Sequence, residues 1–287
     1  MKLIKPSFLI KEQEPGVIGI YRQIEYAGRI CYKSSNKITE DSAKPFVDRM
    51  IKNGHGAMLE HGTVYLDVPN SAGNYNLVPF FASNPYSRVV IRPLDDRVHN
   101  YITTNFRVMI ENFAEEYIPD ILQYLCEPTE CHEKRITVHF VCDRGVSHEF
   151  VRHRVMSFAQ ESTRYCNYSK DKFGNEITFI KPCFLDDSKL ALYRPYHTVI
   201  RDKSPESIFI ANLNNAEKDY IDLIDLGWKP QEARAVLPNS LKTELVMTGF
   251  VSDWKYFFEL RCDSAAHPQA RELAIPLREE FINNKYL

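Results

Sequence analysis

One segment of the chain concentrates positive charge beside a hydroxyl group: Arg152-His153-Arg154-Val155-Met156-Ser157-Phe158-Ala159-Gln160-Glu161-Ser162-Thr163-Arg164-Tyr165. Each of its three guanidiniums carries five N–H donors in a fixed geometry and stays charged at any working pH. Such a cluster repels itself unless an anion binds to it, and guanidiniums match phosphate, carboxylate or an ionised heterocycle. A solvated basic helix face is the competing interpretation.

A predicted strand and turn lead into this segment. Ile136–Cys142 alternates apolar and other residues as a half-buried strand does, the next three residues form a turn signal, and Ser147 can cap a helix. We therefore expect the arginines to open a helix that Phe150 anchors in the core. At about 100° per residue, residues 152–154 then point in three directions. Either two ligands or two subunits are expected to meet there.

Composition limits the class of protein. The chain has 287 residues, of which 44% are hydrophobic, so it can bury a sizeable core. We predict a single α+β domain over residues 1–287, with mixed helices and a small sheet. The net charge of −2 gives no global attraction to nucleic acid. An odd number of cysteines, seven, and an N-terminus without a signal-peptide pattern favour a cytoplasmic, soluble protein that does not enter a membrane.

Helical and strand patterns alternate along the chain. Helices are predicted after capping signals or over apolar periodicity: from Thr39 to before Gly54, one or two within Tyr101–Leu125, from Ser204 to before Gly227, and from Pro268 onward. Strands are predicted over Gly62–Val68, Ile136–Cys142, Glu176–Lys181 and Glu244–Phe250. The stretch Pro69–Pro93 is the best candidate for a loop.

Four sequence blocks in order carry a resemblance to a known family. They are the segment 152–165, Glu60-His61 before the strand Thr63–Val68, Ala233-Arg234-Ala235-Val236-Leu237-Pro238, and Phe257-Phe258-Glu259-Leu260-Arg261. Together they resemble the flavin-dependent thymidylate synthases, the ThyX family, over about half of the chain. Relative to the shorter family members, residues from about 70 to 135 are predicted to be an insertion.

The resemblance implies a fold, an activity and an assembly. Family members are homotetramers that bind flavin adenine dinucleotide (FAD) at subunit interfaces. They reductively methylate deoxyuridine monophosphate (dUMP) to dTMP. The carbon comes from 5,10-methylenetetrahydrofolate and the hydride from reduced flavin, which NADPH recharges. These small molecules and further copies of the chain are therefore the expected partners, and no metal is expected.

The resemblance also implies roles for individual residues. The residues expected to contact FAD are His61, Thr63 from another subunit, Arg152, His153, Arg154 and Val155. The residues expected to bind dUMP are Glu149, Arg152, Gln160, Glu161, Ser162, Thr163, Arg164 and Arg234. Arg261 is expected to contact the uracil as the catalytic residue, because a guanidinium there favours an ionised or enolate-like pyrimidine.

The chain departs from the family pattern at several positions. Phe250-Val251-Ser252 stands where many members have Asn-x-Arg, and Tyr256 replaces a further asparagine that contacts flavin. Glu149 occupies the place of a glutamine, and Ala159-Gln160 replaces the commoner Asn-Glu. The flavin contacts of the family at positions 250, 252 and 256 are therefore not expected here, and Glu149 lacks the donor that a glutamine offers the nucleotide. The Arg-His-Arg and serine core is retained.

Other kinds of site have weaker support. The 11 glycines form neither dinucleotide-binding fingerprint, so a flavin pyrophosphate would need side chains, helix N-termini or a subunit interface. Cys126, Cys131 and His132 lack the spacing of a zinc site. Ser162 has no base identifiable from sequence, so a hydrogen-bonding role is expected. The aromatic run from Trp254 to Phe258 is more typical of core than of a flavin platform.

Two alternative functions remain open from the residues alone. The first is a cytosolic nucleotide- or nucleic-acid-binding protein that uses the basic segment and aromatic residues, although the net acidity and the lack of a second basic stripe count against nucleic acid. The second is another flavoenzyme, or a structural homo-oligomer, on the same scaffold. Retention on heparin at moderate salt separates the first alternative from a thymidylate synthase, and visible flavin absorbance in the purified protein excludes the structural form of the second.

Overall fold

The computed structural model describes residues 1–70, 77–94, 97–169, 176–190 and 204–287. Its strands are β1 (Lys2–Ile4), β2 (Ser7–Lys11), β3 (Thr63–Pro69), β4 (Arg88–Leu94), β5 (Arg97–Asn105), β6 (Arg135–Asp143), β7 (Ser157–Gln160), β8 (Thr178–Ile180) and β9 (Lys242–Phe250). Helices and strands mix along the chain, which confirms the predicted α+β class.

The helices vary from single turns to 21 residues. They are α1 (Gly16–Cys31), α2 (Ala43–Lys52), α3 (Gly56–Leu59), α4 (Leu77–Ser83), α5 (Phe106–Asn112), α6 (Ile118–Leu122), α7 (Arg144–Phe150), α8 (Asp187–Leu190), α9 (Pro205–Asp225), α10 (Pro230–Ala233), α11 (Val251–Arg261) and α12 (Pro268–Asn283). Short 3-10 turns cover Ser35–Lys37, Glu115–Tyr117 and Arg234–Val236.

A four-stranded antiparallel sheet in the order β2-β6-β9-β7 carries the main core. Because side chains alternate along a strand, its two faces differ. Leu245 and Met247 of β9 pack with aromatic residues of α11 and leucines of α12 on one face. Val246 packs with Ala27 and Ile30 of α1 on the other face. These are called the α11 face and the α1 face below.

The remaining described strands form two further groups. An antiparallel sheet in the order β3-β5-β4 packs over a second apolar core that includes residues of α1, α2 and α5. The pair β1 and β8 is parallel. The described residues therefore hold three strand groups, where one small sheet was predicted. The strands β4 and β5 lie within residues 70–135, which the sequence did not identify as β structure.

Most predicted elements are confirmed, with shifted ends. The helices α9 and α12 and the strands β3, β6, β8 and β9 match their predicted ranges closely. The predicted helix at Tyr101 is wrong for its first turn, because Tyr101–Asn105 completes β5. Asn105 then caps α5 by accepting from Val108 N at 3.1 Å. The proposed loop Pro69–Pro93 contains α4 and most of β4.

The helix after β6 also begins and ends earlier than predicted. Asp143, not Ser147, caps α7, because its Oδ1 accepts from Val146 N at 2.8 Å. The helix ends at Phe150, so Arg152, His153 and Arg154 lie in the turn that follows it. The sequence pattern therefore placed the arginines inside a helix that in fact stops just before them.

Candidate active site

The turn after α7 presents the Arg-His-Arg motif with alternating exposure. Arg152 and Arg154 are exposed, as is Val155, whereas His153 between them is only 7% exposed. The ring of His153 packs against Phe257 of α11, with ring centroids 5.0 Å apart. The buried His153 thus points away from its two exposed neighbours, and the three residues lie in a turn where a helix was predicted.

Arg261, the last residue of α11, is fixed by two residues at the end of α7 and in the turn. Its Nη1 donates to Oε2 of Glu149 at 2.9 Å and its Nη2 donates to the Glu149 carbonyl at 2.7 Å. Its Nε donates to Nε2 of His153 at 3.1 Å. Burial lowers the pKa of Arg261, the charge of Glu149 raises it, and the charge of nearby Arg152 lowers it further. The fork of Arg261 is therefore oriented before any ligand binds.

The contact between Arg261 and His153 fixes the tautomer of the histidine. A guanidinium can only donate, so Nε2 of His153 accepts and its proton is carried on Nδ1. Burial and the charge of Arg261 lower the pKa of His153 to about 4, which keeps the ring neutral at pH 7. Nδ1 is buried and has no hydrogen-bond partner among the described residues. A buried donor without a partner is costly, and a ligand that offers an acceptor satisfies it only if the cover of this atom moves.

The loop after β7 contains the residues predicted to bind nucleotide, and we call residues Glu161–Arg164 the nucleotide loop. Thr163 Oγ1 accepts from Nη1 of Arg234 at 3.0 Å, so the structure brings these two predicted residues together. Ser162 Oγ accepts from the backbone N–H of Arg164 at 3.3 Å. Arg164 and Arg234 are both exposed.

Helix α7 connects this loop to Arg261. The amide of Gln160 donates to Oγ of Ser147 at 2.8 Å and to Oγ1 of Thr243 at 3.3 Å. Ser147 and Glu149 belong to the same short helix, and Glu149 holds Arg261. The predicted substrate residue Gln160 and the predicted catalytic residue Arg261 thus both hydrogen-bond to α7, Gln160 at Ser147 and Arg261 at Glu149.

The side chain of Glu161 points into the protein and is 1% exposed. Its carboxylate accepts from Nζ of Lys242 at 2.9 Å, Nζ of Lys33 at 3.3 Å and the hydroxyl of Tyr168 at 3.4 Å. All of these partners belong to the protein. Glu161 is therefore placed to anchor the nucleotide loop, whereas the resemblance suggested a direct contact with nucleotide.

The ion pairs continue from Lys242 along the α1 face of the sheet. Lys242 also pairs with Glu244, whose other oxygen lies 3.1 Å from Nε2 of His139. Nδ1 of that histidine lies 2.7 Å from the hydroxyl of Tyr26. Burial alone would raise the pKa of Glu244, but the hydrogen bond from His139 and the charge of Lys242 lower it to about 2.

Sequence analysis missed this buried ionic network. Burial would lower the pKa of Lys242, but the charges of Glu161 and Glu244 raise it, so the lysine stays charged. One signal was present: Lys242 and Glu244 stand two residues apart in a strand with no other charged residue, and so share a face. Charged residues on the buried face of a strand indicate a paired network, since an isolated buried charge is not tolerated.

Among the described residues, His61 and Thr63 hydrogen-bond to strands β9 and β6 and not to the Arg-His-Arg turn. His61 is fully buried, and its Nδ1 lies 2.8 Å from Oγ1 of Thr248 on the α1 face. Burial, with the charge of Arg135, lowers the pKa of His61 to about 3. Arg135 donates from Nη1 to Oγ1 of Thr63 at 3.4 Å and from Nη2 to Oγ of Ser157 at 3.3 Å. A contact between His61 and a ligand would require its cover to move.

The departures from the family pattern are also visible in the structure. Phe250 is buried, with the guanidinium carbons of Arg88 and Arg135 at 4.4 and 5.5 Å from its ring centroid. Its side chain cannot make the hydrogen bond of an asparagine. Tyr256 is exposed, and its ring lies edge-on to His153 with centroids 5.9 Å apart. Trp254 and its neighbours Phe257 and Phe258 are buried, which confirms their assignment to the core.

The cysteine and histidine cluster does not form a recognisable metal centre. Sγ of Cys126 lies 3.9 Å from Nε2 of His132, which is also 3.1 Å from the carbonyl oxygen of Leu66. Within the described ranges, no group of three or more histidine, cysteine, aspartate or glutamate residues is placed to hold a metal ion.

Comparison with known proteins identifies the family. The family model for thymidylate synthase complementing protein matches residues 92–284, about two thirds of the chain. The match begins inside the range 70–135, whose status as an insertion stays a prediction. A flavin-dependent thymidylate synthase of Pyrococcus furiosus is 30% identical over 179 residues, which cover 62% of this chain and 67% of that protein. The one of Pyrococcus horikoshii is 29% identical over 207 residues, covering 72% and 79%.

A solved structure is also similar at a low level. It is the UMP/dUMP methylase PolB of Streptomyces cacaoi bound with 5-Br dUMP, with 16% identity, a TM-score of 0.43, and coverage of 99% of this chain and 93% of that one. A similarity this low supports neither a shared fold nor a shared activity, so the assignment depends on the sequence matches. By those matches, the chain belongs to the thymidylate synthase complementing protein family, that of the flavin-dependent thymidylate synthases.

Proposed function

We propose that the protein is a flavin-dependent thymidylate synthase that methylates dUMP to dTMP. In this proposal 5,10-methylenetetrahydrofolate supplies the carbon, reduced FAD supplies the hydride, and NADPH reduces the flavin again. The observation that carries the proposal is the fixed Arg261 beside the orphan donor of His153, joined through α7 to the nucleotide loop. We place the reaction in the cytoplasm and propose no metal.

Arg261 has the donors that a pyrimidine requires. A guanidinium has five N–H groups, and three of them bind His153 and Glu149. One N–H on each terminal nitrogen remains for the O4 and N3 side of a uracil. Because the side chain is largely buried, its charge stabilises negative charge that develops on the ring more strongly than it would in water. With this negative charge on the ring, C5 of the uracil is more nucleophilic than it is in the neutral ring.

The residues of the turn after α7 have the charge and the hydrogen-bonding groups that FAD would require. Arg152 and Arg154 are exposed cations that can pair with phosphate, and Nδ1 of His153 is a buried donor that requires an acceptor. Val155 is exposed beside them and offers an apolar surface. We propose that these four residues hold FAD, which supplies the hydride when bound and reduced. The protein's own contribution is positioning, orientation and electrostatics.

The nucleotide loop is proposed to bind the rest of dUMP. The exposed guanidiniums of Arg164 and Arg234 are suited to the phosphate. The hydroxyls of Ser162 and Thr163 and the amide of Gln160 can orient the sugar or the phosphate, while Glu161 holds the loop in place from behind. The negative charge of Glu149 is neutralised by Arg261, which removes the repulsion that a carboxylate would otherwise impose on a phosphate.

We expect the purified protein to carry noncovalent FAD and to assemble as a tetramer. His153 contacts α11, whereas His61 binds Thr248 on the opposite, α1 face of the sheet. If both histidines contribute to flavin sites, as the resemblance implies, one chain cannot easily place both against one flavin. Light scattering and the absorbance of released flavin measure mass and loading. A flavin-loaded monomer would contradict the shared site.

We expect Ser162→Ala to keep measurable turnover with weaker dUMP binding. In the described part of the chain its hydroxyl bonds the backbone N–H of Arg164 and has no imidazole or carboxylate partner, so no base activates it as a nucleophile. Loss of one hydrogen bond worth about 0.5–1.5 kcal/mol raises the KM for dUMP by roughly 2-fold to 12-fold. Steady-state kinetics measure the KM for dUMP. Nucleotide attached to the Ser162 peptide in mass spectra of trapped wild-type enzyme would contradict the claim that Ser162 is not a nucleophile.

The decisive test of the proposed function is tritium release from C5-labelled dUMP. Release that depends on both folate and reduced flavin supports the proposal, because each co-substrate is omitted in turn. Flavin binding without release would indicate another flavoenzyme. Absence of flavin together with retention on heparin at moderate salt would favour the nucleic-acid-binding alternative.

In the part of the chain that the structure describes, none of the helices has the length and apolar character needed to cross a membrane.

A further inference from the structure

The end of α1 has an unusual backbone conformation. The helix closes with two turn hydrogen bonds, from Lys33 N to the Ile30 carbonyl at 3.1 Å and from Ser34 N to the Arg29 carbonyl at 2.9 Å. This is the pattern of a Schellman cap, in which glycine usually occupies the left-handed position. Here the position is occupied by Lys33, with a φ of 45°. We call residues 31–33 the α1 hook.

A side chain at such a position is strained relative to glycine and persists when its surroundings compensate. Among the described residues other than glycine, positive φ occurs at Lys33 and at Lys285. Lys285 ends α12 in the same way, with bonds from Lys285 N to Ile282 at 3.0 Å and from Tyr286 N to Phe281 at 2.9 Å. The two lysines therefore share a backbone conformation and a charge.

The hook differs from the end of α12 in what it contacts, because each of its residues meets the segment that contains the nucleotide loop. The carbonyl of Cys31 accepts from Ser162 N at 3.0 Å. The ring of Tyr32 lies 5.7 Å from that of Tyr165. Nζ of Lys33 lies 3.3 Å from the buried carboxylate of Glu161. It also lies 5.9 Å from the ring centroid of Tyr168.

We propose that Lys33 is a positioning residue for the substrate nucleotide, and that it acts through Glu161. Lys33 and Lys242 hold the Glu161 carboxylate from two elements, α1 and β9. Glu161 directly precedes Ser162, so its side chain sets where the backbone of the loop lies. Lys33 thus supplies a second cation to Glu161 from a backbone position that favours glycine. The proposal rests on the proposed function, in which this loop binds dUMP.

Lys33→Gly and Lys285→Gly form a matched pair for the test. Both remove one positive charge and one strained side chain, but only Lys33 has Glu161 as a partner. We expect Lys33→Gly to raise the KM for dUMP about fivefold to twentyfold with kcat changed less than about twofold, because the loop binds before the chemical step. We expect Lys285→Gly to leave both constants unchanged. The unfolding temperature of both variants should be no lower than that of the wild type, because the substitution relieves backbone strain.

Two further variants separate positioning from direct contact with the nucleotide. Lys33→Arg retains the cation, so its KM for dUMP should lie within about twofold of the wild-type value. Lys33→Met lacks the cation, so its KM should be raised as in Lys33→Gly. In a Glu161→Gln background, Lys33→Met should have little further effect, since a residue that acts through Glu161 loses its influence with that carboxylate. Independent, multiplying effects of the two substitutions would overturn the proposal, as would an unchanged KM in Lys33→Gly.

The wild-type protein keeps this test distinct from that of the proposed function. Tritium release by the wild type must be established first, and its absence contradicts the thymidylate synthase proposal without bearing on the hook. Once the wild type is active, equal KM values in Lys33→Gly and Lys285→Gly contradict only the role of Lys33. Flavin content, measured by absorbance, should match the wild type in all variants; loss of flavin from Lys33→Gly alone would contradict a role confined to the nucleotide loop.

Discussion

Arg261→Ala is expected to lower turnover by about 10²–10³ while FAD remains bound. Removal of one preorganised donor to developing negative charge in a desolvated site has effects of this size. Arg261 offers two free N–H groups to the pyrimidine, and no other cation in the described structure is held by Glu149 and His153 in this way. Steady-state turnover and flavin absorbance in the same preparation measure the two halves of the prediction.

Two further variants serve as controls for Arg261→Ala. Arg278→Ala removes an exposed arginine of α12 and should leave turnover close to that of the wild type. Arg261→Lys keeps a charge but loses the fork that binds Glu149 twice, so most of the activity should still be lost. In Arg261→Ala the pKa of His153 should rise above about 4, because one of its two depressing causes is removed. Near-normal turnover in Arg261→Ala would exclude this residue from the mechanism.

The sequence was sufficient to identify the cluster of donors at the candidate site, because three of them are adjacent in the chain. Arg152, His153 and Arg154 are adjacent, and a buried histidine between two exposed arginines is what divergence of neighbouring side chains requires. The predicted contact of Arg261 with the uracil is untested, but the structure does place its guanidinium beside His153, 108 residues away in the chain. Only the resemblance connected these two blocks, since periodicity carries no information on such pairing.

The remaining features depend on tertiary contacts that a single sequence does not reveal. Strand β5 at Tyr101–Asn105 has a pattern that also suits a helix, and its pairing with both β3 and β4 decides between them. Glu161 is a second example, since the resemblance implied a direct contact with dUMP. Its carboxylate is buried because Lys33 and Lys242, from α1 and β9, both reach it.

The buried position of the Glu161 carboxylate gives this residue an anchoring role in the nucleotide loop. A loop that binds a phosphate must hold exposed cations in place, and flexible cations bind with a larger entropic cost. In this protein the cations Arg164 and Arg234 stand at the surface, while the loop that carries Arg164 is fixed by a carboxylate on its buried side. If the loop binds phosphate as proposed, recognition lies on its exposed face, while the anchoring of its buried face depends on the charge of Lys242.

Lys242→Met is therefore expected to lower the free energy of unfolding by about 3–5 kcal/mol at pH 7. The substitution leaves Glu161 and Glu244 as buried carboxylates with weakened compensation, and removal of one partner of a buried pair has effects of this size. Lys242 is only 10% exposed, so solvent screens the pair little. We expect the lower end of the range, because Lys33 and His139 still reach the two carboxylates. Chemical denaturation followed by fluorescence measures the change.

Two comparisons separate the loss of charge pairing from the loss of a side chain. Lys52→Met removes an exposed lysine at the end of α2 and should change the free energy of unfolding by less than about 0.5 kcal/mol. The triple variant with Lys242→Met, Glu161→Gln and Glu244→Gln removes the uncompensated charges and should recover much of the stability, because a neutral buried cluster has a smaller desolvation cost. If Lys242→Met proved no more destabilising than Lys52→Met, the buried network would not hold the nucleotide loop, and Glu161 would have to be anchored by Lys33 and Tyr168 alone.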